Sequence, residues 1–279
     1  MRTPAFRHTS ALPGFGLAFG ITMTMLCIVV LLPIGALLLQ GARIGLPELF
    51  GVIASDRVRA ALLLSFRIAF LAAVFNLVFG LALAWVLARY HFPGRKLVDA
   101  MVDLPFALPT AVAGIALTAL YAPNGPLGAI AAKFGITVAY TPLGIWVALV
   151  FVGLPFVVRT VQPVIDEIDR ETEEASATLG AGRIRTFVKV ILPTLSPALL
   201  TGFALAFARG VGEYGSVIFI AGNLPMKTEI APLLIVIRLE EFDYHGAIAI
   251  AIAMLAVSFL MLLAINLVQV LSRRRTANA

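Results

Sequence analysis

The chain has 279 residues, of which 61% are hydrophobic and only 13% charged, with a mean hydropathy of +1.00. Soluble domains hold about 45–50% apolar and about 25% charged residues, so the composition excludes a soluble globular protein and points to an integral membrane protein. A formal charge of +6 and a pI near 9.9 do not make it a nucleic-acid binder, because no clustered basic face on a soluble module is present.

A membrane-spanning helix needs about 20 mainly apolar residues. Six runs meet that demand, at about 14 to 40, 61 to 88, 101 to 121, 141 to 162, 194 to 222 and 246 to 271. The expected fold is therefore all-α, with about six transmembrane helices in a single domain over 1–279. The first run follows Arg2, Arg7 and His8, but it is too long for the core of a secretory signal and no A-x-A site follows it. It is read as a retained first span. Its Cys27 is the only cysteine, so neither an internal disulfide nor a cysteine-based metal site is expected. His8, His91 and His245 lie far apart in the sequence, and no metal or catalytic role is assigned to them.

Pro33, Pro105, Pro109, Pro155, Gly202 and Gly210 fall inside these runs. Bilayer helices tolerate such residues where neighbouring helices cover the freed backbone groups. In the third run, Pro105 and Pro109 are expected to interrupt the hydrogen-bond ladder, giving either a packing kink or backbone groups that face a cavity. Trp85, Tyr90, Tyr121, Tyr140 and Tyr244 fall near span ends, where headgroup anchoring and ordinary packing are both open readings.

Orientation follows from counting Lys and Arg on each side. With the N-terminus inside, twelve of the 21 cations fall in cytoplasmic segments and six on the other side, while Arg67, Arg159 and Arg209 lie within or near spans. Both termini are thus expected in the cytoplasm.

That topology makes the segment from Asp166 onward the largest cytoplasmic connection. Its acids come first and its cations Arg183, Arg185 and Lys189 last, divided by Gly180 and Gly182. Acids favour a helix start and glycine a helix end. Ile184, Phe187, Val188 and Ile191 then recur at helical spacing. The segment reads as helix, glycine turn and helix along the membrane surface. By composition alone the segment can be a solvated loop that anchors two spans electrostatically. Ala175, Ser176 and Ala177, set between acids and a glycine hinge, open the other reading, a small face that another protein can approach closely.

Glu174-Ala175-Ser176, three residues, Gly180, nine residues, Val190, one residue and Leu192-Pro193 resembles the EAA loop of ABC importer permeases. Ser176 stands for the second alanine of that pattern and Val190 for its isoleucine. The resemblance implies the ABC importer permease fold, with a coupling loop over about 166–192 whose short helix seats in a cleft of an ATPase subunit. By it, Glu173, Glu174, Ala175, Ser176, Leu179, Gly180, Arg183 and Pro193 are the coupling residues.

A second stretch, Phe207 to Ile235 with its GEYGSVIFIAGN core, resembles the T-type permease subunit of bacterial sulfate/thiosulfate importers. Molybdate permeases are similar here but usually read GEFG, and molybdate or tungstate is the alternative cargo. The third run, DLPFALPTAVAGIAL, is similar to the same group. The resemblance implies a second permease of W type, two ATPase subunits that bind ATP and Mg, a periplasmic sulfate-binding protein, and a place in the bacterial inner membrane.

Arg209 and Glu213 are four apart and are expected on one helix face. Charges inside a bilayer cost a few kcal/mol each unless paired or facing water, so the two either neutralise each other structurally or place Arg209 beside an anion pathway. Arg209, Glu213, Tyr214, Pro109 and Thr110 are the candidate pathway or gate residues. Gly210, Gly212 and Gly215 are expected to let other helices approach, at a seam between two permease subunits.

No G-x-x-x-x-G-K-[ST] phosphate loop occurs, so nucleotide binding is assigned to another chain and this one is read as a non-enzymatic pathway subunit. A secondary transporter is disfavoured by the lack of matching halves. A membrane enzyme is disfavoured by the scarcity of converging ionisable groups.

Overall fold

A computed structural model describes residues 15–277. Arg2, Arg7 and His8 of the positive leader lie outside the described residues. Among those described, every regular element is helical. Five helices are long and apolar enough to cross a membrane, and one bent pair meets the same test when its two helices are taken together as one span.

In chain order, α1 is Phe15–Ile44, α2 Leu46–Ile53, α3 Asp56–Arg89, α4 Arg95–Val102 and α5 Leu104–Ala107. They are followed by α6 Thr110–Tyr121, α7 Pro126–Lys133, α8 Pro142–Glu167 and α9 Arg170–Thr178. The last four are α10 Arg183–Val211, α11 Val217–Ile220, α12 Ala231–Glu240 and α13 Tyr244–Ala277.

The core is a three-helix packing of α3, α8 and α10, whose facing surfaces carry small residues. A Cβ added at Gly202 would lie 3.0 Å from the Cα of Val157. The backbones of α8 and α10 therefore meet with no room between them, as small residues allow in membrane interfaces. Leu87, Ile145, Val157, Ile165, Leu195 and Phe207 are almost fully buried in this core. The apolar stretch of α1 has no buried residue, and α13 packs on α10 and α12.

The third run, expected over 101–121 with its ladder interrupted at Pro105 and Pro109, is interrupted there more deeply than by a kink. It is broken into α4, α5 and α6, and α6 continues across a 44° bend into α7. Twelve residues of α6 rise only about 18 Å at 1.5 Å per residue, short of the bilayer's hydrocarbon core. The prolines cause the break. Pro105 sits in the first turn of α5. Leu108 is held extended (φ −84°, ψ 133°) before Pro109, because a proline ring disfavours helical backbone in the residue preceding it.

The fifth run also differs from the expected 194 to 222. Its helix starts at Arg183 and ends at Val211, so the second helix of the polar segment is simply the first turns of the span. Beyond it the chain passes through Gly212 and Gly215 into α11. Wide π turns occur at Cys27–Leu31 and Phe187–Ile191, each just before a proline, Pro33 or Pro193. A proline offers no N–H to the ladder and crowds the carbonyl four residues earlier, and in both cases that carbonyl lies within the wide turn. α12, ten residues long, was not expected from the sequence. It is too short to span and buries Ala231, Leu233 and Leu234.

Candidate functional site

The coupling segment is built as a braced unit. α8 ends at Glu167, Ile168 and Asp169 are extended, and α9 begins with Glu171 and Glu173 in its first turn, where the helix dipole favours acids. α9 stops at a left-handed Gly180 (φ +81°). The Gly180 N–H donates to the Ala177 carbonyl at 2.9 Å and the Ala181 N–H to Ser176 at 3.1 Å. That pair of bonds is the Schellman stop, for which glycine is favoured.

Two contacts pin this turn to the spans. The hydroxyls of Ser176 and Thr186 are 2.9 Å apart, joining α9 to the start of α10. Glu173 lies 3.0 Å from Arg89 at the end of α3, and Arg89 also donates to the Ile168 carbonyl at 2.9 Å. The Arg89 guanidinium rests 5.6 Å from the Trp85 ring centre, and Trp85 meets Phe187 edge to face. A cavity of about 990 Å³ opens between these elements, lined in part by Trp85, Tyr90, Glu173, Ala177, Arg183 and Phe187.

The structure thus divides the expected coupling residues. Glu173 and Ser176 are half-buried and brace the turn, whereas Glu174, Ala175, Leu179, Gly180 and Arg183 are exposed. Pro193 is half-buried inside α10, past the wide turn. Leu179 and Ile184 are 88% and 80% exposed, so the tip presents apolar side chains beside Arg183 and Arg185.

The pathway candidates gather at a second place. Glu213 lies two residues beyond α10, not on the helix as expected, yet it still forms an ion pair with Arg209. Its side chain is 1% exposed against 33% for Arg209. The Ser216 N–H and hydroxyl both donate to a Glu213 carboxylate oxygen, each at 2.8 Å. The charge is neutralised within one stretch of chain rather than between helices, and the arginine keeps partial access. Thr110 packs against Gly215 so closely that no side chain fits there. Gly114 similarly abuts the Ser216 backbone. Pro109 and Thr110 therefore begin α6 against the turn that carries Glu213 and Tyr214.

Two ion-pair clusters were not assigned from the sequence. Arg159 holds Asp103 through two hydrogen bonds of 2.8 and 2.7 Å and Asp99 through one of 2.7 Å. Arg57 grips the buried Glu229 at 2.9 and 2.7 Å. For Arg159 the available signal was an arginine in an apolar run, whereas Arg57 lies ahead of the second run and gave none. The partners of both, 56 to 172 residues away in sequence, follow no spacing rule.

Residues 76–278 match the family described as binding-protein-dependent transport system inner membrane component. The chain belongs to this family. The sulfate transport system permease protein CysT of Escherichia coli strain K12 is 54% identical over 92% of this chain and 93% of its own length. CysT of Salmonella typhimurium is 52% identical over the same shares, and that of Synechocystis 48% over 91% and 89%. Among solved structures, the permease resembles a chain of a bacterial alginate ABC transporter in complex with a pentasaccharide-bound periplasmic protein. That match has a TM-score of 0.75 and 17% identity over 93% of both chains. A chain of the MetNI methionine transporter matches with a TM-score of 0.57 over 76% of this chain and 94% of its own. At such identities the structural likeness shows the ABC permease fold. The permease is a multi-pass inner-membrane transport subunit.

Proposed function

We propose that this permease moves sulfate, and thiosulfate with it, across the inner membrane in an ATP-driven importer. The supporting observation is 54% identity to a sulfate permease along nearly the whole chain. Its partners in this reading are a W-type second permease, two ATPase subunits that bind ATP and Mg, and a periplasmic sulfate-binding protein. Residues 1–279 act as one permease domain with both termini in the cytoplasm, which the excess of Lys and Arg on that side supports.

The exposed tip of the α9 turn is the ATPase dock. Leu179 and Ile184 offer an apolar knob, Ala175 and Gly180 let a cleft wall approach, and Glu174 and Arg183 set register. The Arg89–Glu173 and Ser176–Thr186 contacts make the tip a rigid lever on α3 and α10. At the second cluster, Glu213 is fixed by Ser216 and holds Arg209 in place, and the part-exposed guanidinium attracts a dianion. Thr110, Pro109 and Tyr214 shape the constriction beside it.

The test is uptake of labelled sulfate into proteoliposomes carrying the permeases and ATPase, with loaded binding protein outside and ATP inside. Uptake that needs all three components supports the reading. Molybdate uptake without sulfate uptake overturns the assigned cargo.

A further inference from the structure

Asp103 opens the DLPFALP stretch, and the functional reading above gives it no role. It is held, with Asp99, by Arg159 through four hydrogen bonds, and a fifth from Arg159 goes to Gln162 of its own helix. The Arg159 Nε and Nη2 donate to the two Asp103 oxygens at 2.8 and 2.7 Å. Nη1 donates to Asp99 Oδ1 at 2.7 Å and Gln162 Oε1 at 2.9 Å. Nη2 also donates to the Asp99 backbone carbonyl at 2.9 Å. A planar guanidinium can satisfy such a fork and an ammonium cannot.

The place of this grip matters more than its strength. α4 and α5 pack chiefly on each other and on α8, so Arg159 is the main polar tie fixing the broken third span. Arg159 lies eight residues before the end of α8, about 12 Å at 1.5 Å per residue. Three residues beyond that end, α9 begins. In the other direction, α5 runs through Leu108 and Pro109 into Thr110, which abuts Gly215 beside Glu213. A movement of α9 carried by α8 thus reaches α4 and α5 at Arg159, and from there the start of α6.

We infer that Arg159, with Asp99 and Asp103, is the linkage that transmits displacement of the coupling turn to the Pro109–Thr110 constriction. It is a positioning residue, and it touches no cargo. The inference rests on the reading of the α9 turn as the ATPase dock.

The test uses the complete complex, with both permeases, the ATPase and loaded binding protein, in sealed proteoliposomes. ATP hydrolysis and sulfate uptake are read in the same vesicles. Arg159→Lys and Asp103→Asn should leave the complex assembled and hydrolysing ATP, while sulfate moved per ATP falls about tenfold. Exchanging the pair, Arg159→Asp with Asp103→Arg, should recover most of that loss. An unchanged ratio in both single variants overturns the inference. So does a joint loss of assembly, hydrolysis and uptake that the exchange does not restore, since a merely structural tie would behave that way. Glu174→Lys is run beside them and should lose ATPase assembly. If Glu174→Lys assembles and transports normally, the docking reading fails and this inference falls with it. Unchanged Arg159 and Asp103 variants beside a disabled Glu174→Lys overturn the linkage alone.

Discussion

Glu173 lies 3.0 Å from Arg89, so the exposed turn after α9 is anchored to the end of α3 rather than hanging between α8 and α10. Arg89 also reaches the Ile168 carbonyl, tying the linker before α9 and the first turn of α9 to one side chain. Removing Arg89 as Ala leaves a half-buried acid and a carbonyl without their partner. Uptake is expected to fall several-fold, with stability lowered by about 1 kcal/mol, the discounted value of a partly exposed pair. Transport and thermal unfolding of the detergent-solubilised complex check this together.

Gly180 sits at φ +81°, a conformation closed to proline, whose ring holds φ near −65°. Gly180→Pro is expected to unmake the Schellman turn and abolish uptake, while the protein remains inserted in the membrane. Glu174→Lys should do the same by reversing one charge on an otherwise intact tip. Pull-down of the ATPase by each variant is the measurement, and normal ATP-dependent uptake in either would count against the docking role.

Arg209 is the sole ion-pair partner of Glu213 among the described residues. Arg209→Ala therefore strands a buried carboxylate, a loss of about 3–5 kcal/mol when one partner of a buried pair is removed. Adding Glu213→Gln should restore the yield of assembled complex but not transport. Recovery of transport in the double variant would make the pair a structural neutralisation alone.

Asn76 is fully buried in α3, and its amide makes no hydrogen bond to the described protein. A Cβ added at Gly153 on the facing helix would lie 2.5 Å from Asn76 Nδ2. Gly153→Ala is expected to destabilise the three-helix core by about 1–3 kcal/mol, the usual cost of overpacking. Asn76→Ala should relieve most of it in the double variant. Equal thermal midpoints for wild type and Gly153→Ala would show that α3 and α8 are not in close contact there.

The long apolar helices were legible because length and hydropathy together decide a span, and the glycine stop of α9 because one residue type favours that backbone. The interruption of the third span was legible in Pro105 and Pro109, but its extent, separate helices rather than a kink, was not. A proline's effect depends on whether neighbouring helices cover the freed groups, which one chain's sequence does not state. The short α12 was hidden by its length, since ten apolar residues can be a strand, a loop core or a half-span. Arg209 and Glu213 announced themselves and their pairing by spacing, but the end of the helix at Val211, before Glu213, did not. Arg159, Asp99 and Asp103 lie on elements far apart in sequence, and only the packing of α4 and α5 on α8 brings them together.

The most direct measurement of the central claim is ATP-dependent sulfate accumulation in proteoliposomes by the assembled complex, compared between wild-type permease and Glu174→Lys. Accumulation that requires ATP and binding protein, and that vanishes with the ATPase bound no longer in Glu174→Lys, is the result the account expects. Sulfate accumulation without any ATPase subunit present would contradict it.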